Sequence, residues 1–545
     1  MVGRGLSNSD LTHRAIHRAR RIGLRLSPNP QDREGFQRTQ SRTPTTRQRD
    51  TMGNSQPQNH LDSCDSSDGS DEGNVMDDAS EESVEIFRGR PYEGEHSNVS
   101  LHRREKRKDM PSLDHEVAHI TKLRSAPNGM LSRIYGENKK GYIRTFSMLA
   151  GREANVSGRG KFSSADCCHV SSRYLPTGDP VIMDKMNSRA YVGRFSTDGS
   201  LFVAGFQDRR IKIYNVDKGW KLQKDVLARS LRWTITDTAL SPDQRFLVYA
   251  TITPVVHIVN VGNSGTESLA NITEIHEGLD FSVDATGEYS FGLFCVKFST
   301  DGRELVAGSS DKSIYVYDLE ANKLALQIAA HKDDVNTVAF ADETGHLIYS
   351  GSDDSYCKVW DRRCLTSRAR PAGSLAGHLE GITFIDSRGD GRYFISNGKD
   401  QTIKLWDIRK MTSGNPTPRS KKVPSFTWDY RRMEYPGARR DIKHPYDQSL
   451  MTYRGHAVLR TLIRCYFSPA FSTGQKYIYT GSHDGCVHIY DVVTGQRVAK
   501  LDYHSSTVRD CSWHPLYPTL VSSSWDGVVA KWDYPTAADA KSSQK

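Results

Sequence analysis

The stretch that decides the fold is GHLEGITFIDSRGDGRYFISNGKDQTIKLWDIR, residues 377–409. A histidine follows its opening glycine, a serine precedes an aspartate by four residues, and a tryptophan follows that aspartate by six residues. Alternating apolar residues between these polar positions predict short β-strands joined by turns. The four residues that define the pattern are His378, Ser396, Asp400 and Trp406.

Three further stretches repeat this polar set with closely matching offsets. They contain His331, Ser350, Asp354 and Trp360; His456, Thr480, Asp484 and Tyr490; and His504, Ser522, Asp526 and Trp532. The turn in each unit folds back and brings its four side chains together, so that each buried polar group gains a hydrogen-bond partner. A catalytic triad would need one exposed nucleophile rather than four equivalent copies, and we therefore predict a structural role.

The repeat extends over residues 189–534 at intervals of about 42 to 46 residues where it is uninterrupted, which is the spacing of four-stranded propeller blades. A strand-ending aspartate or asparagine marks each unit: Asn215, Asn260, Asp318, Asp361, Asp407, Asp491 and Asp533. The first three units lack the full polar set. The prediction is an all-β, seven-bladed propeller over residues 166–534.

An insertion at residues 411–448 doubles one interval. Its TWDYRR, residues 427–432, could be an eighth repeat, but the residues before it lack the serine–aspartate turn and the alternation that three strands need. The insertion interleaves lysine and arginine with aromatic residues, which suits either a loop covering the propeller or binding of single-stranded nucleic acid. Because it leaves the end of strand 403–408 and returns before the strand at residues 450–453, we predict that it emerges from the face where the Asp-x-Arg pairs point.

Two successive units end in Trp-Asp-x-Arg, namely Trp360, Asp361 and Arg363, then Trp406, Asp407 and Arg409. Side chains alternate along a strand, so each aspartate and arginine should share one side, opposite the tryptophan. Such pairs are either salt bridges within a blade or charged anchors for a partner. The consecutive pair favours partner binding.

Residues 1–111 alternate arginine-rich, acidic and basic blocks and carry few apolar residues, so they are predicted to form a disordered tail, as are residues 535–545. The basic segment His102–Lys108 could serve nuclear import or bind phosphate. Between the tail and the propeller, residues 112–165 form a helical and irregular lead-in. Ser112 could cap a helix whose apolar stripe contains Leu113, Val117 and Ile120, and this stripe packs on its own domain or on another protein.

Several functional classes find no support in the sequence. No apolar run approaches 18 residues and the amino terminus lacks an apolar core segment, so we predict an intracellular protein of the nucleus and cytoplasm. The nine cysteines do not have metal-ligand spacing, and the phosphate-binding glycine–lysine motif is absent. We predict a non-enzyme without a metal or cofactor.

The chain resembles the WD40-repeat family through Gly377-His378, Gly455-His456, Trp360-Asp361, Trp406-Asp407 and Trp532-Asp533. The resemblance covers about two thirds of the chain and implies a propeller whose last blade is completed by an early strand. HVSSRYL, residues 169–175, is the predicted closing strand. The turns near Asp208, Asp311, Asp354, Asp400, Asp484 and Asp526 would then line the face opposite the Asp-x-Arg pairs.

The consecutive Trp-Asp-x-Arg units resemble those of WD40 substrate receptors of cullin-4 RING ubiquitin ligases. HEVAHITKLRS, LAGREANVSGRGKFSSADCCHVSSRYLP and VSSSWDG extend the resemblance to the plant form of the WD repeat protein 23 group, the eleventh DDB- and cullin-4-associated factor. This resemblance implies that both boxes bind the DDB adaptor, that Val117 and Ile120 add a second contact, and that the opposite face holds substrates of unknown identity. The alternative is a scaffold unrelated to ubiquitin, with nucleic acid as a less favoured partner.

Overall fold

The computed structural model describes residues 113–126, 145–153, 162–262, 275–282, 291–366, 370–413, 428–439 and 442–535. The predicted tail at residues 1–111, its segment His102–Lys108, the proposed cap Ser112 and residues 536–545 lie outside these ranges. Within the described ranges, no helix has the length and apolar character needed to cross a membrane.

Seven antiparallel sheets of four strands form the propeller, which confirms the predicted fold. Blades 1 and 2 consist of β2 (Ala190–Phe195), β3 (Leu201–Phe206), β4 (Arg210–Asn215) and β5 (Lys221–Leu227), then β6 (Ile235–Leu240), β7 (Phe246–Thr251), β8 (Val255–Asn260) and β9 (His276–Asp280). Blades 3 and 4 consist of β10 (Leu293–Phe298), β11 (Glu304–Ser309), β12 (Ser313–Asp318) and β13 (Lys323–Ala329), then β14 (Val335–Phe340), β15 (Leu347–Ser352), β16 (Tyr356–Asp361) and β17 (Gly373–Ala376).

Blades 5 and 6 consist of β18 (Ile382–Ser387), β19 (Tyr393–Gly398), β20 (Thr402–Asp407) and β21 (Met451–Arg454), then β22 (Cys465–Phe467), β23 (Tyr477–Gly481), β24 (Cys486–Asp491) and β25 (Arg497–Asp502). Blade 7 combines β26 (Val508–Trp513), β27 (Leu520–Ser524) and β28 (Val528–Trp532) with the early strand β1 (Val181–Lys185). The third strand of every blade ends at, or one residue before, the aspartate or asparagine that marks the repeat.

The ring closes through β1 and not through residues 169–175. β1 pairs antiparallel with β28, and Val181 lies opposite Lys531. The predicted closing strand is wrong because Ser163 and Asp166 form a reciprocal capping box, which starts a helix at Ser164. That helix extends to Ser171, and the chain reaches the last blade only ten residues later.

Two faces of the propeller follow from the strand order. Turns after the first and third strands of each blade share one face, here called the box face because both Trp-Asp-x-Arg units end there. Turns after the second and fourth strands share the opposite face. On the box face, the two FSTDG turns place Gly199 and Gly302 at φ +84° and +72°, the left-handed region that glycine adopts without a steric cost.

Three of the four predicted polar sets form complete hydrogen-bonded chains. In blade 5, the Trp406 indole donates to Ser396 Oγ at 2.7 Å, Ser396 Oγ lies 2.7 Å from His378 Nε2, and His378 Nδ1 lies 3.1 Å from the Asp400 carboxylate. The same contacts join the sets in blades 4 and 7. Because an indole N–H can only donate, the serine hydroxyl accepts from the tryptophan and donates its own hydrogen bond to the histidine.

The fourth set does not come together, which corrects the prediction for His456, Thr480, Asp484 and Tyr490. His456 contacts the Tyr490 hydroxyl at 3.3 Å and Asn397 Oδ1 at 3.0 Å, while the Thr480 hydroxyl donates to the Arg464 carbonyl. Asp484 is 3.3 Å from His488 Nε2. The Tyr490 hydroxyl contacts His456 directly. His488 pairs with Asp484, and His488 stands at the strand position that Lys358, Lys404 and Ala530 occupy in the other blades.

We expect Ser396→Ala to lower the free energy of unfolding by about 2–3 kcal/mol, because it leaves His378 and Trp406 without their buried partner. Thr480→Val is the matched control, because that hydroxyl only donates to two backbone carbonyls. We expect the control to cost about 1 kcal/mol. Urea unfolding at neutral pH measures both, and equal losses would contradict the role assigned to the serine.

In the described part of the chain, four α-helices accompany the strands: α1 (Glu116–Ser125), α2 (Thr145–Glu153), α3 (Ser164–Ser171) and the short α4 (Ala470–Thr473), which lies between β22 and β23. α1 and α3 pack beside α4 on the box face of blades 5 and 6. The Cys168 thiol lies 3.4 and 3.2 Å from the Ala470 and Phe471 carbonyls, and Arg124 donates to Gln475 Oε1 at 3.0 Å. The lead-in helices therefore abut the second Trp-Asp-x-Arg unit.

Candidate functional site

The first box presents an exposed arginine fixed by its own aspartate. Asp361 ends β16 and accepts the Arg363 backbone N–H at 3.0 Å, which starts a single 3₁₀ turn at Arg362–Cys364. The guanidinium donates from Nε at 2.9 Å and from Nη2 at 2.6 Å to the two carboxylate oxygens. The Arg363 side chain is nevertheless 66% exposed. Hydrogen bonds from Arg363 lower the pKa of Asp361 to about 2, so this pair is charged at neutral pH.

The second box has the same local geometry, but its aspartate is buried. Asp407 accepts the Arg409 backbone N–H at 3.0 Å and the Arg409 Nη2 at 3.1 Å, and it also accepts from Arg392 Nη2 at 3.2 Å. His115 Nε2 lies 3.5 Å from the same carboxylate. The Asp407 side chain is 2% exposed, whereas that of Arg409 is 56% exposed. Asp407 is thus a buried carboxylate that accepts hydrogen bonds from two arginines, while the guanidinium of Arg409 is exposed.

Contact with Glu116 on α1 distinguishes the second box from the first. Its carboxylate accepts from Arg392 at 2.8 Å and from Arg409 at 3.2 Å, so three chain segments share one ionic cluster. Among the described residues no comparable contact reaches Arg363, whose guanidinium forms its ion pair with Asp361. Arg409 is therefore oriented by the lead-in helix, and Arg363 is oriented only by its own turn.

These contacts correct the strand-alternation argument. Each aspartate is the last residue of its strand, and each arginine lies on the 3₁₀ turn that follows, so alternation along a strand does not orient the arginine. The Asp side chain instead caps the turn and bends the arginine back toward itself. The sequence left an intrablade salt bridge and an exposed anchor as alternatives. Arg363 and Arg409 each have both properties, because each pairs with its aspartate and remains exposed.

The apolar stripe of α1 faces the propeller, which corrects the assignment of Val117 as a partner contact. Val117 is fully buried in a cluster with Tyr393, Tyr453 and Val492, and Ile120 packs partly buried against the same cluster. The Leu113 N–H donates to the Val493 carbonyl at 2.9 Å, which anchors the chain before the helix. Of the two alternatives left open by the sequence, packing on its own domain is the one that the structure has.

Exposed apolar side chains remain on the outer side of these helices. Leu123 is 60% exposed on α1 and Phe471 is 72% exposed on α4. Arg124 of α1 donates to Gln475, two residues after α4 ends, and both helices lie on the same face as Arg363 and Arg409. Leu123 and Phe471 are therefore better placed than Val117 to meet a partner on the box face.

The insertion joins the third and fourth strands of blade 5, so it emerges from the box face as predicted, but its described residues also reach the opposite face. Its Tyr430 carbonyl accepts the Arg460 N–H at 2.9 Å, and Lys399 Nζ lies 4.0 Å from the Tyr430 ring centroid. Lys399 and Arg460 belong to turns of the opposite face. The segment returns through Arg439, which pairs with Glu380, and through Asp447, which pairs with Lys404 at 2.5 Å. Residues 428–439 and 442–447 therefore lie along the outer edge of blade 5.

A buried charge network crosses the central channel. Arg464, which precedes β22, contacts Asp237 of blade 2 at 2.8 Å and Asp510 of blade 7 at 3.1 Å, and Lys297 contacts Asp237 at 2.7 Å. Burial acts to raise the pKa of Asp237, but Arg464 and Lys297 outweigh it and hold this pKa well below its usual value. The network ties together blades that share no strand pairing.

A cavity of about 790 Å³ opens from the channel to the box face between the first-strand turns of blades 1 to 5. Arg194, Lys297 and Asp386 line it beside phenylalanine side chains. Burial raises the pKa of Asp386 to about 6, although its carboxylate accepts the Phe467 N–H at 2.8 Å. Among the described residues no group of three or more potential metal ligands occurs.

Arg392 and Glu116 were missed as parts of the site. They lie far apart in sequence, and neither belongs to a repeated motif, so only the docking of α1 brings them together. An acidic residue in the first turn of a helix is usually explained by the helix dipole alone. A regular box pattern therefore predicts Asp407 and Arg409 but not the residues that orient them.

Comparison with known proteins gives independent information on the chain. The family model described as WD domain, G-beta repeat matches residues 285–318, 322–361, 369–407, 447–491 and 495–533. The matched segments begin at blade 3, before the blades that carry the polar sets and the boxes. Blades 1 and 2 form the same kind of four-stranded sheet but lie outside the matched residues.

Three related proteins are similar over most of the chain. The LEC14B protein of Lithospermum erythrorhizon is 66% identical over 428 residues, covering 78% of this chain and 90% of that protein. A LEC14B homolog of Prunus armeniaca is 68% identical over 423 residues, covering 78% and 88%. A DDB1- and CUL4-associated factor 11 homolog of Caenorhabditis elegans is 39% identical over 400 residues, covering 71% and 68%.

Proposed function

This chain belongs to the WD40-repeat family that contains LEC14B and the DDB1- and CUL4-associated factor 11 homologues, and from that membership we infer that it is a substrate receptor of a cullin-4 ubiquitin ligase. In this role it binds the DDB1 adaptor through the box face and presents proteins for ubiquitin transfer. The ligase and conjugating enzymes perform the chemistry, and the receptor itself is not an enzyme. The nucleus and cytoplasm are its proposed locations.

The observation that carries this proposal is the pair of exposed guanidinium groups on neighbouring blades. Arg363 and Arg409 are each more than half exposed while a carboxylate holds them in place. A fixed arginine loses little side-chain entropy on binding, and arginines of this kind are common among residues that dominate interface energies. Both lie on one face, so one partner can contact them together.

The lead-in helix contributes to the same interface by a different route than the sequence suggested. Glu116 orients Arg409, and the exposed Leu123 and Phe471 offer apolar surface beside it. Val117 and Ile120 act indirectly, because they hold α1 against the propeller. We propose that the adaptor contacts a surface composed of the two arginines and the outer side of α1 and α4.

We expect the double variant Arg363→Ala, Arg409→Ala to bind purified DDB1 roughly 30- to 1000-fold more weakly than the wild type. The estimate assigns about 2 kcal/mol to each anchor and allows for incomplete additivity. Biolayer interferometry with immobilised full-length protein measures the dissociation constant. Circular dichroism and thermal melting establish that both proteins are folded.

The matched control is Arg245→Ala, Arg303→Ala. These arginines also follow an aspartate by two residues, lie on the box face and are 61% and 66% exposed, so the control removes the same charge from blades 2 and 3. We expect it to bind DDB1 as the wild type does. Equal weakening by both double variants would point to general electrostatics, and no binding by the wild type would favour a scaffold unrelated to ubiquitin.

A further inference from the structure

The opposite face carries arginine and aromatic side chains that the box face does not use. At blades 7, 1 and 2, the Tyr191 ring lies 5.6 Å from both Trp233 and Trp525, measured between ring centroids. The Arg189 guanidinium carbon stands 4.4 Å above the Trp525 ring. Trp233 is 54% exposed and its φ is +71°, a conformation that bulky residues rarely adopt. A strained, exposed tryptophan at the channel mouth suggests a binding role.

The insertion supplies the second part of this surface. Tyr430 sits over Lys399, and the exposed Arg460, whose φ is +69°, donates from Nη1 to the Arg431 carbonyl at 3.2 Å. His483 links the two parts: its N–H donates to the Ala457 carbonyl at 2.8 Å and its Nδ1 lies 2.7 Å from the Thr507 hydroxyl, while the Thr507 carbonyl accepts the Trp525 N–H at 2.9 Å. The two parts therefore lie on adjoining turns of the opposite face. We call the surface of Arg189, Trp233, Trp525, Tyr430, Arg431 and Arg460 the arginine–aromatic rim.

The charges of the rim are not neutralised by the protein. Among the described residues, neither Arg189 nor Arg460 forms an ion pair with a carboxylate, in contrast to Arg363 and Arg409. This face also carries acidic residues: Asp333, Asp334 and Asp353 lie in turns of blade 4, where Lys399 engages Asp353 at 2.8 Å, and Asp208 in blade 1 donates its N–H to Ser188 Oγ at 2.9 Å. In the part of the chain that the structure describes, Arg189 and Arg460 are thus cations without a carboxylate partner on a face of mixed charge.

We propose that the arginine–aromatic rim binds a substrate segment that carries a phosphorylated serine or threonine. A phosphoryl group is a dianion with three acceptor oxygens, so it can pair with two guanidinium forks at once, whereas a carboxylate has two oxygens and one charge. Trp233 offers an exposed ring to the residues beside the phosphate. This inference rests on the proposed function in naming the ligand a substrate, but the binding itself does not need the adaptor.

The ring contacts argue against two other ligands. Cations already lie over Trp525, Tyr430 and Tyr191, where Arg509 stands 5.3 Å from the ring centroid, so a methylated lysine would find these faces taken and would be repelled. Single-stranded nucleic acid needs successive free ring faces for stacking. Of the three aromatic side chains of the rim, only that of Trp233 is more than half exposed. A single free ring favours a peptide with one anionic group.

Fluorescence anisotropy on the full-length protein tests the proposal with three peptide mixtures, degenerate except for a central phosphothreonine, threonine or glutamate. We expect the phosphothreonine mixture to bind at least about tenfold more tightly than either other mixture, the ratio that one lost charge-assisted pair produces. The variant Arg189→Gln, Arg460→Gln should remove this preference, and Trp233→Ala should weaken binding of the phosphorylated mixture about tenfold. The control Arg245→Ala, Arg303→Ala should retain the full preference.

Equal binding of the glutamate mixture would overturn the proposal in favour of a general acidic site. Tighter binding of an oligouridine probe of matched length would replace it with a nucleic-acid site, and no binding of the phosphothreonine mixture would also end it. DDB1 binding by the same proteins separates this inference from the proposed function. The Arg189→Gln, Arg460→Gln variant should bind DDB1 normally, and failure of the wild type to bind DDB1 would leave the peptide result standing.

Discussion

Replacing Arg464 with methionine should lower the free energy of unfolding by about 3–5 kcal/mol at pH 7, because breaking a buried ion pair from one side leaves an uncompensated charge. Here one guanidinium serves two carboxylates, Asp237 and Asp510, whose side chains are fully buried. Lys297 still pairs with Asp237, and the Tyr466 hydroxyl still donates to Asp510 at 2.8 Å. The remaining partners limit the loss but do not replace the missing charge. Chemical denaturation measures it.

The loss should shrink as the pH falls. In the wild type the pKa of Asp237 is depressed, so its stabilising contribution is present above the unfolded pKa of about 3.9 and disappears only as the pH falls through the folded value. Without Arg464, Lys297 alone offsets less of the burial, so we expect the pKa of Asp237 to be higher in the variant than in the wild type. The variant can then relieve its buried charge by taking up a proton. The difference in unfolding free energy between the two proteins should therefore be smaller at pH 4.5 than at pH 7.

Arg509→Met is the matched control for this prediction. Arg509 is also buried in the channel, but its guanidinium donates to the Tyr191 and Thr236 carbonyls rather than to a carboxylate. Its loss should cost about 1–3 kcal/mol and leave Asp237 and Asp510 paired with Arg464, so this loss should depend less on pH. A pH-independent loss in Arg464→Met, equal to that of Arg509→Met, would contradict the ionic role of the network.

Val117→Asp should release α1 from the propeller and cost at least about 3 kcal/mol, because an unpaired carboxylate would enter an apolar cluster. Val117 is fully buried there, and its carbonyl accepts the Thr121 hydroxyl at 2.7 Å. Release of α1 would also take Glu116 away from Arg392 and Arg409. We therefore expect weaker DDB1 binding together with reduced stability, measured by interferometry and urea unfolding.

Leu123→Asp separates packing from contact on the same helix. Leu123 is 60% exposed, so its replacement should change stability by less than about 0.5 kcal/mol. If the outer side of α1 meets the adaptor, this variant should weaken DDB1 binding without loss of stability. A stable Val117→Asp protein that has lost only adaptor binding would place Val117 on the surface and overturn the packing described above.

The repeat pattern predicted the fold because each blade carries its own copy of the same constraint. The aspartate or asparagine that ends each third strand was located in the sequence, and even blades whose serine position holds Ala204 or Ala307 form complete sheets. Apolar alternation and turn residues suffice for these sheets. The polar sets were predictable where tryptophan and serine were both present and failed at Tyr490, because a phenol and an indole place their polar atoms differently.

The site was predictable only in its repeated part. Asp361, Arg363, Asp407 and Arg409 follow from a motif, but their geometry depends on a 3₁₀ turn that strand alternation does not describe. The contacts of Glu116 and Tyr430 depend on segments that cross between blades, and no local pattern specifies where such a segment lands. The capping box that starts α3 was present in the sequence as Ser163 and Asp166, and it would have excluded residues 169–171 from the closing strand.

The closure of the ring by β1 has a consequence for synthesis. β1 is translated before every blade, yet its pairing partner β28 is the last strand to leave the ribosome. α1 likewise packs against blades 5 and 6, which are made much later. A nascent chain therefore carries an unpaired early strand and an uncovered apolar helix until the late blades have been made, and such exposed segments are prone to aggregation. The propeller can close only after β28 has left the ribosome, and a chain truncated before Val528 has no strand with which to close.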